Sequence, residues 1–168
     1  MDDATRHLMT DVLRAQPVAA LATLHKGEPA VSMTPCAWMA DGVAVIHVSR
    51  LATHTADLLA HPQVALLVTA PAAMADTPLA LPRVSLQAQA TPCLPDDPRY
   101  VEARQAYLSR LPDAEPMFGF GDFTLVRLVP DHVRFVGGFG RAHAVAPADW
   151  LAVCAGLSRP AGSPTGSA

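Results

Sequence analysis

From residue 18 to residue 136 the chain reads as a series of short apolar or alternating runs cut by turn residues, and this rhythm limits the folds open to it. Residues 18–24 alternate small and apolar side chains up to His25-Lys26-Gly27-Glu28. Residues 30–39 resume as a strand as far as Asp41-Gly42, and residues 43–48 follow. Two successive hairpins are expected, because turn residues between alternating runs set antiparallel neighbours in register. Residues 51–60 then have helical character, and His61-Pro62 stops them, since the residue before a proline is pushed out of the α region. Residues 63–69 and 83–91 read as further strands, separated by a proline-containing loop over 70–82. Residues 96–111 have helical spacing, entered through Asp-Asp-Pro and stopped by Pro112. Residues 123–129 and 132–136 are expected to form a last hairpin around Pro130-Asp131.

At the two ends, residues 3–15 set Leu8, Met9, Val12 and Leu13 on one helical face with Asp2 or Asp3 as the cap, and residues 148–155 make a helical turn or two. The sum is about six or seven strands with mostly short connections, two or three peripheral helices and no repeating βαβ unit. An antiparallel barrel with attached helices, mainly β in an α+β setting, is expected; a parallel Rossmann-type sheet lacks its GxGxxG.

Of 168 residues, 51% are hydrophobic and 16% charged, which predicts one compact domain over residues 1–156. The last stretch, 157–168 (LSRPAGSPTGSA), has little apolar content to bury and is expected to be a disordered tail. A net charge of −3 with scattered Lys and Arg gives no basic stripe for nucleic acid. The acidic start lacks an apolar signal region and no apolar run is long enough to span a membrane, so a soluble cytoplasmic protein is expected. Cys36, Cys93 and Cys154 are odd in number and widely spaced, which suits reduced core thiols better than a disulfide framework or a zinc site.

The segment VAVIHVSRLATHTADLLAHPQVALLV, residues 43–68, is an apolar strand, a polar cluster, a short helix and a second apolar strand. It sets Ser49, Arg50, Thr53, His54 and Thr55 at a helix start, where unpaired N–H groups and the macrodipole attract anions. The plainer alternative is that Ser49 or Thr53 caps the helix while Arg50 and His54 are solvated. A second cluster, Gly137-Gly138-Phe139-Gly140-Arg141, allows either a barrel corner or close approach to a planar ligand. Arg83, opening a strand, either meets a ligand carbonyl or phosphate or pairs with Asp76 or Asp122. No HExxH, GxSxG or P-loop occurs, and the seven histidines never take metal-ligand spacing with a carboxylate or thiolate. Any chemistry would then depend on a bound cofactor.

The order GEPAVSMTPCAW, VSRLATHTADLLAHPQVALLV, RVSLQAQA and GDFTLVRLVPDHVRFVGGFGRAHAV resembles the FMN-binding split-barrel superfamily related to pyridoxamine 5′-phosphate oxidase. Within it, S-x-L-x-x-H-T and GGFG-x-A are most similar to the heme-utilisation, HugZ-type branch. The resemblance implies a homodimer of six-stranded split barrels with FMN in the groove between subunits. Ser49 through Thr55 would hold the phosphate, Ser32, Met33 and Thr34 the isoalloxazine edge, and Arg83 a polar edge of the flavin. Many flavin-binding members carry Lys where this chain has His54 and Arg where it has Ser32. A phosphate held by His54 would favour the protonated imidazole, so FMN affinity should fall as pH rises.

The leading expectation is an FMN-dependent oxidoreductase of a small molecule. The alternative puts heme at the same interface with His25, His47, His54, His132 or His143 as axial ligand, and a third reading is a non-catalytic binding module.

Overall fold

The computed structural model describes residues 1–157. It begins with α1 (Asp3–Ala15), whose cap is Asp2, a carboxylate oxygen accepting from the Thr5 N–H at 2.7 Å. Met9, Thr10, Val12 and Leu13 form its buried stripe. β1 (Val18–His25) and β2 (Glu28–Pro35) are joined by Lys26 and Gly27, both left-handed with φ of +53° and +86°. That is the two-residue turn whose twist matches a hairpin, with His25 opposite Glu28 as expected. β3 (Ala37–Trp38) and β4 (Ala44–Ser49) make the second hairpin. A side chain cannot be added at its turn without collision: Gly42 has a φ of +88°, and a Cβ there would lie 2.7 Å from the Trp150 indole nitrogen.

The chain continues through α2 (Thr53–Ala60), β5 (Gln63–Thr69), β6 (Arg83–Cys93), α3 (Tyr100–Arg110), β7 (Phe123–Val136), β8 (Ala142–Ala144) and α4 (Pro147–Leu157). All pairings are antiparallel and the order is β2-β1-β5-β6-β7-β4-β3, with β8 paired to the end of β7. β2 and β3 stand at opposite edges of this order, yet only Cys36 separates them in sequence. Two Cα steps span at most about 7.6 Å. The sheet must therefore curl until its edges meet, and β2 runs past β4 there without a hydrogen-bonded ladder. This is an antiparallel barrel left open along one seam.

Four expectations need correction. The sheet has eight strands rather than six. The strand expected over residues 30–39 breaks at Cys36, where the chain crosses the seam. Residues 123–136 form one strand and no hairpin: Gln87 faces His132 while Ala88 faces Pro130, which leaves Asp131 as the extra residue of a bulge. A proline has no N–H to give to a ladder, and a bulge tolerates it as well as a turn does. Helices were also underestimated. α4 runs eleven residues to Leu157, the residue where the tail was expected to begin, and residues 112–119 form a 3-10 stretch that no periodicity announced. The expected tail otherwise lies outside the described residues.

The main core fills the inside of the curl with Leu21, Ile46, Leu66, Leu86, Leu128 and Phe135, closed by Met9, Val12 and Leu13 of α1 and by Trp150 of α4. Trp38 meets Trp150 edge to face at 5.4 Å, and the Trp150 indole N–H donates to the Gly42 carbonyl at 2.9 Å. A second core lies on the outer side of the sheet, where Met39, Val43, Val45 and Leu125 pack against Ala103 and Tyr107 of α3. Residues 44–48 of β4 are consequently buried on both faces. No helix among the described residues is long and apolar enough to cross a membrane.

Candidate functional site

At the end of β4 the five residues expected to hold a phosphate are brought together, but most of them are already engaged. The Ser49 hydroxyl donates to Asp122 Oδ2 at 2.5 Å and accepts from the Leu51 N–H at 3.1 Å. Thr55 is buried and its hydroxyl donates to the Ser49 carbonyl at 2.6 Å, tying the first turn of α2 to the strand. Arg50 donates through Nη2 to the Gly121 carbonyl at 2.5 Å and through its backbone N–H to the Asp122 carbonyl at 2.7 Å. Thr53 and His54 alone keep side chains without a hydrogen-bond partner among the described residues. The N-cap is Ala52, which supplies no side-chain oxygen to the first turn. This junction is a braced corner with an acid built into it. A phosphate dianion placed there would face the Asp122 carboxylate, so the residues present do not fit that group as they stand.

The strand expected to hold the flavin edge is divided by its own pleat. Thr34 is buried, with its hydroxyl 3.2 Å from the Pro35 carbonyl, and the Ser32 hydroxyl is buried with no partner. Both face the inside of the curl, whereas Met33 between them is 64% exposed on the outer face. Arg83 is on that outer face too, but far from Ser49. Ser49 pairs with Phe123 at one end of β7 and Arg83 with Val136 at the other, a strand length on the order of 40 Å before curvature. One protomer therefore does not unite Arg83 with the β4–α2 corner. Neither expected acid pairs with Arg83; its Nη1 donates to the Leu81 carbonyl at 3.1 Å.

Among the described residues, no helix lies over the outer face of β2, β1, β5 and β6. Registers place Met33, Ala20, Leu67, Ser85 and Arg134 side by side in one row across five strands. Val31, Ala22, Ala65, Gln87 and His132 make the next row. Val31 is 74% and Leu67 40% exposed, so the floor is apolar and open, and it ends at β6 and β7 in cationic side chains. The glycine-rich cluster serves as the turn into β8, with Gly138 and Gly140 at φ of +144° and +73°, which is the barrel-corner role. Its Phe139 nevertheless remains 79% exposed.

The histidines differ sharply in setting. His47 is buried, stacks on Phe118 at 4.0 Å and touches Tyr107 and Phe123, and its Nδ1 has no partner. Burial pushes its pKa down to about 4. His25 is partly exposed, with Nδ1 2.8 Å from Asp57 Oδ1, and the Thr23 hydroxyl donates to the other oxygen of that buried carboxylate at 3.3 Å. His54 starts α2, while His132 and His143 are exposed on β7 and β8. Sequence reasoning missed Asp57 and offered Asp122 to Arg83 instead of Ser49, because each acts through a partner more than thirty residues away. It also missed Arg134, whose place beside Arg83 depends on strand pairing.

The comparisons agree with this architecture. Residues 6–137 match the family model described as pyridoxamine 5′-phosphate oxidase. The chain is 37% identical over 118 residues to the chloroplastic heme oxygenase HOZ of Arabidopsis thaliana, a match covering 70% of this chain and 35% of that protein. It thus spans about a third of that relative's length. A heme binding protein from Mycobacterium smegmatis is 27% identical with a TM-score of 0.78, over 90% of this chain and 62% of that one. The heme storage protein HutZ of Vibrio cholerae, 22% identical, shares the fold with a TM-score of 0.70 over 78% of this chain and 94% of its own. With an open antiparallel barrel, its seam between β2 and β4 and a family match over most of its length, the chain belongs to the pyridoxamine 5′-phosphate oxidase family and is similar to its heme-utilisation members.

Proposed function

We propose that this protein binds heme on the bare outer face of its sheet, with a second copy of the chain covering that face. The observation that carries the reading is the chemistry of the face: an open apolar floor bounded by cationic side chains suits a flat apolar macrocycle with an acidic edge. Similarity to proteins named for heme binding and heme oxygenation supports the same class of ligand. The covering copy answers a separate need, because Val31, Met33 and Leu67 form an apolar patch that a lone protomer leaves in water. Where heme is bound it supplies the iron and the redox chemistry; the chain's own part is to seat the ring and exclude water.

The second reading is an FMN-dependent oxidoreductase acting on a small molecule. The family match favours it, as does the unpartnered Ser32 hydroxyl beside the seam. The Asp122 carboxylate at the expected phosphate site weighs against it.

The deciding experiment is the visible spectrum of the purified protein, repeated after addition of hemin or FMN and desalting. A retained Soret band supports the proposal, and retained flavin bands without it would replace the proposal with the FMN reading. Retention of neither would leave a binding module without these ligands. Exposing the hemin-loaded protein to ascorbate in air then separates the two heme roles, since loss of the Soret band means breakdown and its persistence means storage.

A further inference from the structure

We propose that Arg134, diagonal to Arg83 across β6 and β7, is a specificity-determining residue that receives one of two carboxylates of the bound tetrapyrrole. The inference rests on the heme reading above and goes beyond it by naming what would separate heme from other planar ligands.

Arg83 lies opposite Val136 and Ser85 lies opposite Arg134, so the two arginines are diagonal neighbours on one face. Side chains so placed start roughly 7–8 Å apart, close enough to serve one ligand edge and far enough apart to take separate anions. Their same-face neighbours along these rows are Thr69, Leu67, Ser85, Val136, Ala142 and Ala144, none of them an acid. Arg134 is exposed and makes no hydrogen bond or ion pair with any described residue. Among the described residues Arg83 donates only to the Leu81 carbonyl, from a single nitrogen. Elsewhere Arg99 meets Asp41 and Glu102, Arg104 meets Glu115 and Arg127 meets Asp97; Arg50 and Arg110 meet only backbone carbonyls, and Arg141 stands in the turn before β8, so what sets Arg83 and Arg134 apart is their place side by side on the bare sheet face. Two guanidiniums without counter-ions, beside an apolar floor, match a ligand with two carboxylates on one edge. A guanidinium accepts a carboxylate in a two-pronged geometry that ammonium cannot copy. FMN, with one phosphate, offers the pair a single anionic centre instead of two separate carboxylates.

The test compares hemin, hemin dimethyl ester and FMN binding to the wild-type protein and to Arg134→Gln, read by Soret absorbance or by flavin fluorescence quenching. Arg134→Gln should weaken hemin about tenfold and leave the ester unchanged. Arg134→Lys should recover part of the loss, and thermal melts should coincide because the side chain is exposed. An unchanged hemin affinity in Arg134→Gln would overturn the assignment, as would an equal loss for the ester or a greater loss for FMN. Absence of hemin binding by the wild-type protein is a different result: it removes the heme reading itself, and this assignment with it.

Discussion

The outer side of the sheet is treated in two opposite ways. Over β3, β4 and the start of β7 it is sealed by α3 and the 3-10 stretch at 112–119, so that even His47 is buried among Phe118, Tyr107 and Phe123. Over β2, β1 and β5 the same side is bare, and Val31 and Met33 project 74% and 64% exposed. Strand residues of similar character thus stabilise the fold in one half and are left for association in the other. The covered half explains stability, and the bare half is where function is to be sought.

Breaking the covered half should have the largest effect. Tyr107→Ala removes a buried ring and should cost about 3–5 kcal/mol in urea unfolding. A loss below about 1 kcal/mol would show that α3 is not closed over the sheet. In the bare half, Met33→Asp should leave unfolding free energy within about 0.5 kcal/mol once protomers are separated. It should weaken self-association on the order of a hundredfold, measured by light scattering. A wild-type protein that is monomeric at micromolar concentration would remove the covering copy from the proposal.

The pH dependence of stability tests the seal over His47. Its folded pKa of about 4 lies below the ordinary 6.5, so the unfolded chain binds the proton more readily. Stability is therefore complete above about pH 6.5 and falls as pH drops towards 4, by about 3 kcal/mol. Unfolding curves between those limits should lose this slope in His47→Phe. If the slope survives the substitution, another group is responsible. The smallest expected effect is at the braced corner: Asp122→Asn removes a carboxylate near the start of α2 and should tighten FMN or inorganic phosphate about two- to fivefold by titration. No change would clear Asp122 of opposing an anion there.

Local punctuation was the legible part of the fold. Lys26-Gly27 supplied the φ values that a two-residue hairpin requires, and Pro62 ended α2 where the preceding residue had to leave the helix. Pro130-Asp131 was misread because the same residues serve a turn and a bulge, and only Gln87 and Ala88 on the facing strand distinguish the two. The strand count failed at Cys36 and at β8 for a related reason, since both places are decided by which edge the chain meets. Within the site, residues 49–55 were correctly seen as one cluster at a helix start. Their chemistry was not legible, because it depends on Asp122 arriving from the start of β7.

The sequence by itself determined the first hairpin, the stops of α2 and α3 and the family, because turn residues and pleat periodicity act over a few neighbours. Only the tertiary structure decided that Ser49 is held by an acid, that Arg83 and Ser49 lie beside opposite ends of β7, and that Arg134 stands beside Arg83 on a bare face. Each of these is a contact or a separation fixed by strand pairing over long stretches of chain, and no local pattern encodes it.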